Sequence, residues 1–185
     1  ITLPESLTTI GDYAFYECQY TSFNWLSTIT SIGTQAFYNC KQLTTAKVNA
    51  PTISSSAFSG CTSLANLTIG ANVTTLGNTA FKGCTALTSI TLNATLTTVP
   101  TSSSSYAFYQ CTCASPCTLT IGPSVTNIPN STFASLYNIG TIYFNATNCA
   151  DFTSSSSNIM PSVISDGCAL YVGDNVTKIP AYMRS

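Results

Sequence analysis

The feature that most constrains this sequence is an Ala-Phe pair that returns at a nearly constant interval. The phenylalanines of successive copies are separated by 22, 21, 23, 27 and 25 residues. In the first five copies a cysteine follows three residues after the phenylalanine. The phenylalanines are Phe15, Phe37, Phe58, Phe81, Phe108 and Phe133, and Thr replaces Ala before the last. Self-similarity at such a period predicts a chain built from stacked copies of one unit.

A short run of alternating apolar residues recurs from one repeat to the next, which is the pattern of a β-strand. Eight runs predict about eight strands, at Ile1–Leu3, Tyr20–Trp25, Leu43–Val48, Leu64–Ile69, Leu87–Leu92, Leu119–Ile121, Ile139–Phe144 and Leu170–Val172. One repeat cannot bury its apolar side alone, so the copies stack and share a core. The predicted fold is a leucine-rich-repeat solenoid, with a parallel β-sheet on the concave side and short helical or 3-10 turns and loops on the convex side. An ordinary β-sandwich is the alternative.

The repeat runs through the whole sequence, so we expect a single leucine-rich-repeat domain over residues 1–185. Because Ile1 falls directly into a repeat, we also expect this domain to be a fragment of a longer array. Three insertions depart from the period, at 101–106, 112–116 and 145–167.

The charge content excludes several classes of function. Charged residues make up 6% of the chain, against about 25% in an average domain. The five Lys and Arg residues are scattered, whereas binding to nucleic acid requires them in a patch. No apolar stretch reaches the length needed for direct membrane insertion. We therefore expect no nucleic-acid partner and no membrane span.

The sequence also argues against an enzyme and predicts no cofactor. It contains no histidine, and its six acidic residues are isolated, so a serine or cysteine nucleophile would lack a base. The nearest enzymatic alternative, a β-helix polysaccharide lyase, requires clustered acids and bases along one face. A zinc site is not predicted either, because Cys111, Cys113 and Cys117 lack the usual C-x-x-C spacing.

The nine cysteines divide into two groups. Five occupy the repeat position, and we predict that they are buried thiols. Stacked equivalents would hold their Cβ atoms about 4.8 Å apart, whereas a disulfide requires about 3.8 Å. The other four, Cys113, Cys117, Cys149 and Cys168, lie in or beside the insertions. A Cys113–Cys117 or a Cys149–Cys168 bridge and free thiols remain alternatives here.

In each strand the residues between the apolar positions should point out of the concave face. Threonine takes this place in four of the eight strands, and Tyr143 and Tyr171 take it on two neighbouring strands. Their rings should stand about 5 Å apart, one strand spacing. We predict a ligand surface centred on this pair, with the further members Thr141, Asn145, Lys47, Thr68, Thr91 and Thr120. The alternative is that the two tyrosines merely cover the insertion at 145–167.

The repeat resembles a known family at specific segments. Gly77-Asn-Thr-Ala-Phe-Lys-Gly-Cys84 and Leu87-Thr-Ser-Ile-Thr-Leu92 are similar to BspA-like leucine-rich repeats, which occur on surface proteins of anaerobic bacteria and some mucosal protozoa. The resemblance implies an extracellular or cell-surface protein that adheres to or recognises a host protein or glycan, next to neighbouring repeats of the full-length protein. A structural spacer in a surface array is the alternative.

Overall fold

The computed structural model describes residues 1–151 and 164–180, and these form a two-sided solenoid of short parallel strands. The strands are β1 (Thr9–Ile10), β2 (Ser31–Ile32), β3 (Thr45–Val48), β4 (Thr52–Ile53), β5 (Asn66–Ile69), β6 (Thr75–Leu76), β7 (Ser89–Leu92), β8 (Cys111–Ile121), β9 (Leu136–Phe144) and β10 (Ile164–Val172). The described residues contain no helix, and therefore none that could span a membrane.

Two parallel sheets run along the solenoid. The larger has the order β10-β9-β8-β7-β5-β3, and the smaller has the order β1-β2-β4-β6. In the larger sheet equivalent residues pair in register, so that Leu67 lies beside Ile90 and Ile90 beside Leu119. Each of these three side chains is buried. The stacked copies thus share one apolar interior, which confirms the predicted solenoid and its parallel sheet.

The phenylalanines of the repeat form a column inside this interior. Phe37, Phe58, Phe81 and Phe108 are fully buried. Their rings stack with centroid separations of 4.9, 5.5 and 5.2 Å. Each fully buried aromatic side chain contributes about 1.5–3 kcal/mol of hydrophobic stabilisation. The Ala-Phe signature of the sequence is therefore the core of the fold.

The Ala-Phe segments form consecutive tight turns, and the predicted helical turns are not formed. In the second copy Gln35 and Asn39 have φ values of 52° and 53°, in the left-handed region that interrupts a right-handed helix. Backbone N–H groups between them alternate in direction: Ala36 donates back to Gly33, whereas Phe37 donates to Ala57 of the next copy. These bonds between copies join the turns along the solenoid as the sheets join the strands.

The predicted number of strands in the large sheet was too high. Six strands form there among the described residues, because the segments around Leu3 and Phe23 are not strands. The run Tyr20–Trp25 has its full length but begins two residues after Cys18, whereas the next run begins at Leu43, three residues after Cys40. The Asn24 side chain bridges the first two copies instead: its Oδ1 accepts from Leu3 N at 2.6 Å and its Nδ2 donates to Leu3 O at 3.0 Å. A side-chain amide thus replaces the backbone ladder at this end.

Asparagine and glycine alternate at the position that follows each strand of the large sheet. The series is Asn49, Gly70, Asn93, Gly122, Asn145 and Gly173. Each asparagine places its Oδ1 against the glycine of the next copy, where a Cβ atom would overlap it. Glycine is therefore needed in every second copy, and adjacent copies are packed as pairs.

The three predicted insertions differ in the structure that they form. Residues 112–116 lie within β8, whose pairing with β9 shifts register between Thr112 and Thr118. A disulfide between Cys113 and Cys117 closes this irregular part. Cys149 is a buried thiol, so a Cys149–Cys168 bridge is not formed. Residues 101–106 form an exposed turn. Of the insertion at 145–167, residues 152–163 lie outside the described part of the chain, and β10 begins at Ile164.

Candidate functional site

The outward side chains of the large sheet form one continuous row, here called the sheet face. Lys47 pairs with Thr68, Thr68 with Thr91, Thr91 with Thr120, Thr120 with Tyr143, and Tyr143 with Tyr171. Lys47 is exposed and the three threonines are half-buried. The row therefore has one charge at one end and two phenol rings at the other, separated by hydroxyl groups.

Tyr143 and Tyr171 form the most prominent feature of the sheet face. They are 41% and 54% exposed, and their rings stack with centroids 5.0 Å apart and an interplanar angle of 18°. The predicted spacing of one strand is confirmed. Rings this close cover each other's facing sides and leave no room for a ligand ring between them. A ligand meets the outer faces and the edges of the pair, most directly at Tyr171 on the edge strand β10.

The two side chains predicted to flank the pair lie in different places. Thr141 lies on the same strand as Tyr143, two residues away, and pairs with Ala169 of β10. Asn145 lies beyond the end of β9, and its carboxamide packs against Gly173. It lines a cavity of about 350 Å³ at the end of the sheet, together with Pro123, Thr147, Asp174 and Asn175. The structure thus brings Thr141 to the tyrosines, whereas Asn145 belongs to the edge of the sheet.

The threonines outside the sheet face differ from those on it. Thr30, Thr74 and Thr97 each donate their hydroxyl to a backbone carbonyl of the preceding copy, at 3.1, 3.2 and 3.3 Å. These hydroxyls reinforce the bonds between copies. The abundant threonine of this chain is therefore largely structural away from the sheet face.

The repeat cysteines are buried thiols, as predicted, except that Cys18 is half-buried. Cys61 donates its thiol to Phe37 O at 3.1 Å, and Cys84 donates to Phe58 O at 3.3 Å. Burial raises the pKa of Cys84, and it raises the pKa of Cys18 to about 11. Nucleophilic cysteines require a lowered pKa, so these thiols are suited to packing and not to catalysis.

No group of three or more potential ligands among residues 1–151 and 164–180 is arranged to hold a metal ion. In that part of the chain, Lys178 and Asp151 form a salt bridge at 2.6 Å, with both side chains about half exposed. Exposed pairs of this kind contribute little to stability.

A second cavity, of about 320 Å³, lies on the side of the solenoid and was not predicted from the sequence. Its walls include Thr98, Val99, Thr101, Asn127 and Ile128. The available signal was a single residue: Asn127 stands where the two preceding copies have Thr75 and Thr98.

Comparison with known proteins agrees with the repeat architecture. The family model described as the BspA type leucine-rich repeat region matches in 6 copies, over residues 1–112 and 51–182. A solved structure of a leucine-rich cell surface protein from Faecalibacterium prausnitzii A2-165 is similar at 15% identity, with a TM-score of 0.38. That similarity covers 97% of this chain and 70% of the bacterial one. No curated protein matches. The family model accounts for nearly the whole sequence, and the chain belongs to the BspA-type leucine-rich repeat family.

Proposed function

We propose that this chain is a non-enzymatic binding module of a secreted or surface-displayed protein, and that its sheet face recognises a host protein or glycan. Family membership supports the surface location. The observation that carries the proposal is the exposed stacked pair, Tyr143 and Tyr171. Tyrosine is enriched in binding surfaces because it supplies contact area at a low entropic cost.

The electrostatics of the sheet face favour a neutral or weakly charged ligand. Within the row, Lys47 is the one charged side chain, and it lies four strands from Tyr143 in the order β3, β5, β7, β8, β9. Binding there depends on ring contacts and hydroxyl hydrogen bonds. Stacking against the outer face of Tyr171 suits a sugar ring or an apolar side chain.

The test is a screen of glycans and matrix proteins with this chain, followed by Tyr143→Thr together with Tyr171→Thr. Threonine is the residue at the equivalent positions of three neighbouring strands, so the core should be unaffected. We expect affinity for the partner found in the screen to fall at least tenfold, or about 1.4 kcal/mol, with little change in melting temperature.

A matched control exists on the turn side of the solenoid. Tyr16 and Tyr38 also stack, at 5.1 Å and 12°, away from the sheet face. Replacing both with Thr should leave binding unchanged. Unchanged binding in the Tyr143 and Tyr171 variant would exclude this patch as the site. Early unfolding of that variant would instead show that the two rings serve packing.

A structural spacer is the second candidate. The uniform row Thr68, Thr91 and Thr120 favours it, because threonines that pair across strands stabilise a sheet without any ligand. A chain that binds nothing in the screen, yet resists proteolysis, would support the spacer.

A further inference from the structure

The side cavity arises where the small sheet is interrupted. As far as Thr98, successive copies on this side are joined by backbone hydrogen bonds, such as Thr98 N to Thr74 O at 3.2 Å and Leu76 N to Thr98 O at 3.0 Å. Farther along, the ladder resumes with Ala150 N to Thr126 O at 2.9 Å. The opening lies between these two points.

Side chains join the two copies at the interruption. Thr95 Oγ1 accepts a hydrogen bond from Thr126 N at 3.0 Å, and Asn127 Nδ2 donates to Leu96 O at 2.8 Å. A side chain inserted into a ladder holds the two backbones farther apart than a direct bond does. On the sheet side, the same copies stay in register, with Thr91 beside Thr120. The two copies are therefore joined through side chains on the side of the small sheet and through the backbone on the side of the large sheet, and the gap lies on the first side.

The size of the gap limits its occupant. Its volume of about 320 Å³ is at the lower end of the roughly 300–1,000 Å³ of small-molecule sites. The part of a ligand held inside it is therefore about the size of a single sugar ring.

The walls of the gap have two kinds of surface. Val99, Ile128 and Pro129 are apolar, while Thr98, Thr101 and Asn127 are polar. The hydroxyls of Thr98 and Thr101 can both donate and accept, and Asn127 retains its Oδ1 as an acceptor after Nδ2 has bonded Leu96. The carboxylate in the wall, Asp151, is paired with the ammonium group of Lys178 at 2.6 Å. These walls match a neutral ligand with an apolar face and several hydroxyls.

We propose that this cavity binds a neutral monosaccharide in its pyranose form. The C–H face of the ring packs mainly on Pro129, beside the small exposed parts of Val99 and Ile128, and its hydroxyls bond to Thr98, Thr101 and Asn127. The site is separate from the sheet face and does not depend on the function proposed above. Because the cavity is open on one side, we expect weak binding, in the millimolar range.

The test is a titration of the isotope-labelled chain with glucose, galactose, mannose and N-acetylglucosamine, each followed through backbone amide resonances. We expect at least one sugar to shift the amides of residues 97–101 and 126–130, with the amides of the sheet face unmoved. Absence of saturable shifts with all four sugars would overturn the proposal. Shifts confined to the sheet face would overturn it as well.

A blocking variant sharpens the test. Thr98→Trp puts a large side chain at the mouth of the cavity, and affinity for the active sugar should fall at least about tenfold. Thr52→Trp is the matched control, because Thr52 is exposed and pairs with Thr75, the partner of Thr98, in the uninterrupted part of the same sheet. Equal affinities in the two variants would contradict the proposed site. The amide shifts of the parent chain decide the question independently if Thr98→Trp does not fold.

Discussion

The copies between Ala36 and Leu92 and those between Cys111 and Val172 follow one repeat with different regularity. In the first region the rings of Phe37, Phe58 and Phe81 are nearly parallel, with interplanar angles of 8° and 14°. In the second region Phe133 is tilted by 34° from Phe108, at 6.0 Å. In the large sheet, strands of 4 residues in the first region become strands of 9 to 11 residues in the second.

The comparison shows that the surface features found in one copy only lie in the less regular region. The regular region presents Lys47, Thr68 and Thr91 on its sheet face. The irregular region contains the register shifts, the disulfide and the stacked tyrosines. The residues that repeat in every copy form the shared interior. The residues that differ between copies give the second region its distinct surface features.

The largest expected effect is on the ring column. Phe81→Ala should lower the free energy of unfolding by about 3–5 kcal/mol, because it empties a fully buried aromatic site between two stacked rings. Phe133→Ala should cost less, since the Phe133 ring contacts Phe108 at a wider separation. Chemical denaturation of both variants measures the difference. Equal losses of unfolding free energy in the two variants would contradict the proposed difference in packing between the two regions.

The paired packing of copies gives the second prediction. Gly70→Ala should cost about 1–3 kcal/mol, because its Cβ would overlap the Asn49 carboxamide. Gly11→Ala is the control, since a Cβ there meets no atom within 4 Å. In the background of Asn49→Ala the penalty of Gly70→Ala should shrink. An unchanged penalty in that double variant would show that Asn49 is not the obstacle.

The third prediction concerns the contribution of the Cys113–Cys117 disulfide to the stability of the irregular region. Replacing both Cys113 and Cys117 with Ala should cost no more than about 2 kcal/mol, because the bridge closes a short loop of sequence separation 4. Reductant should lower the melting temperature of the parent chain and leave that of the double variant unchanged. A parent chain insensitive to reductant after full reduction would show that the bridge does not stabilise the fold.

The smallest effect concerns pH and the regular region. The pKa of Cys84 is raised above its ordinary value of 9.0 by burial. The unfolded chain therefore loses this proton first, so stability is complete below about pH 9 and declines as the pH rises above it. The melting temperature should fall as the pH rises above about 9, and Cys84→Ala should reduce the fall. Replacing the half-exposed Cys18 with Ala should reduce this fall in melting temperature less than Cys84→Ala does.

Much of this architecture could be predicted from the sequence because every copy of the repeat carries apolar residues at the same positions. Phe81, Cys84 and Ile90 were assigned to the interior from spacing alone, and all three are buried. Individual departures were harder to interpret. The side-chain bridge of Asn24 replaced a predicted strand, and the left-handed residues Gln35 and Asn39 replaced a predicted helical turn. Such features depend on contacts with the next copy, which a local pattern does not contain.

By itself, the sequence determined the solenoid, its buried column of phenylalanines and thiols, and the placement of Tyr143 beside Tyr171. Periodicity was sufficient there, because stacking at one strand spacing follows from the repeat length. Only the tertiary structure decided the small sheet, the bridge between Cys113 and Cys117, the carboxamide of Asn145 against Gly173, and the side cavity near Asn127. The bridge depends on the local path of β8, where both cysteines lie. The other three features depend on how neighbouring copies lie against each other, which the side chains between them decide.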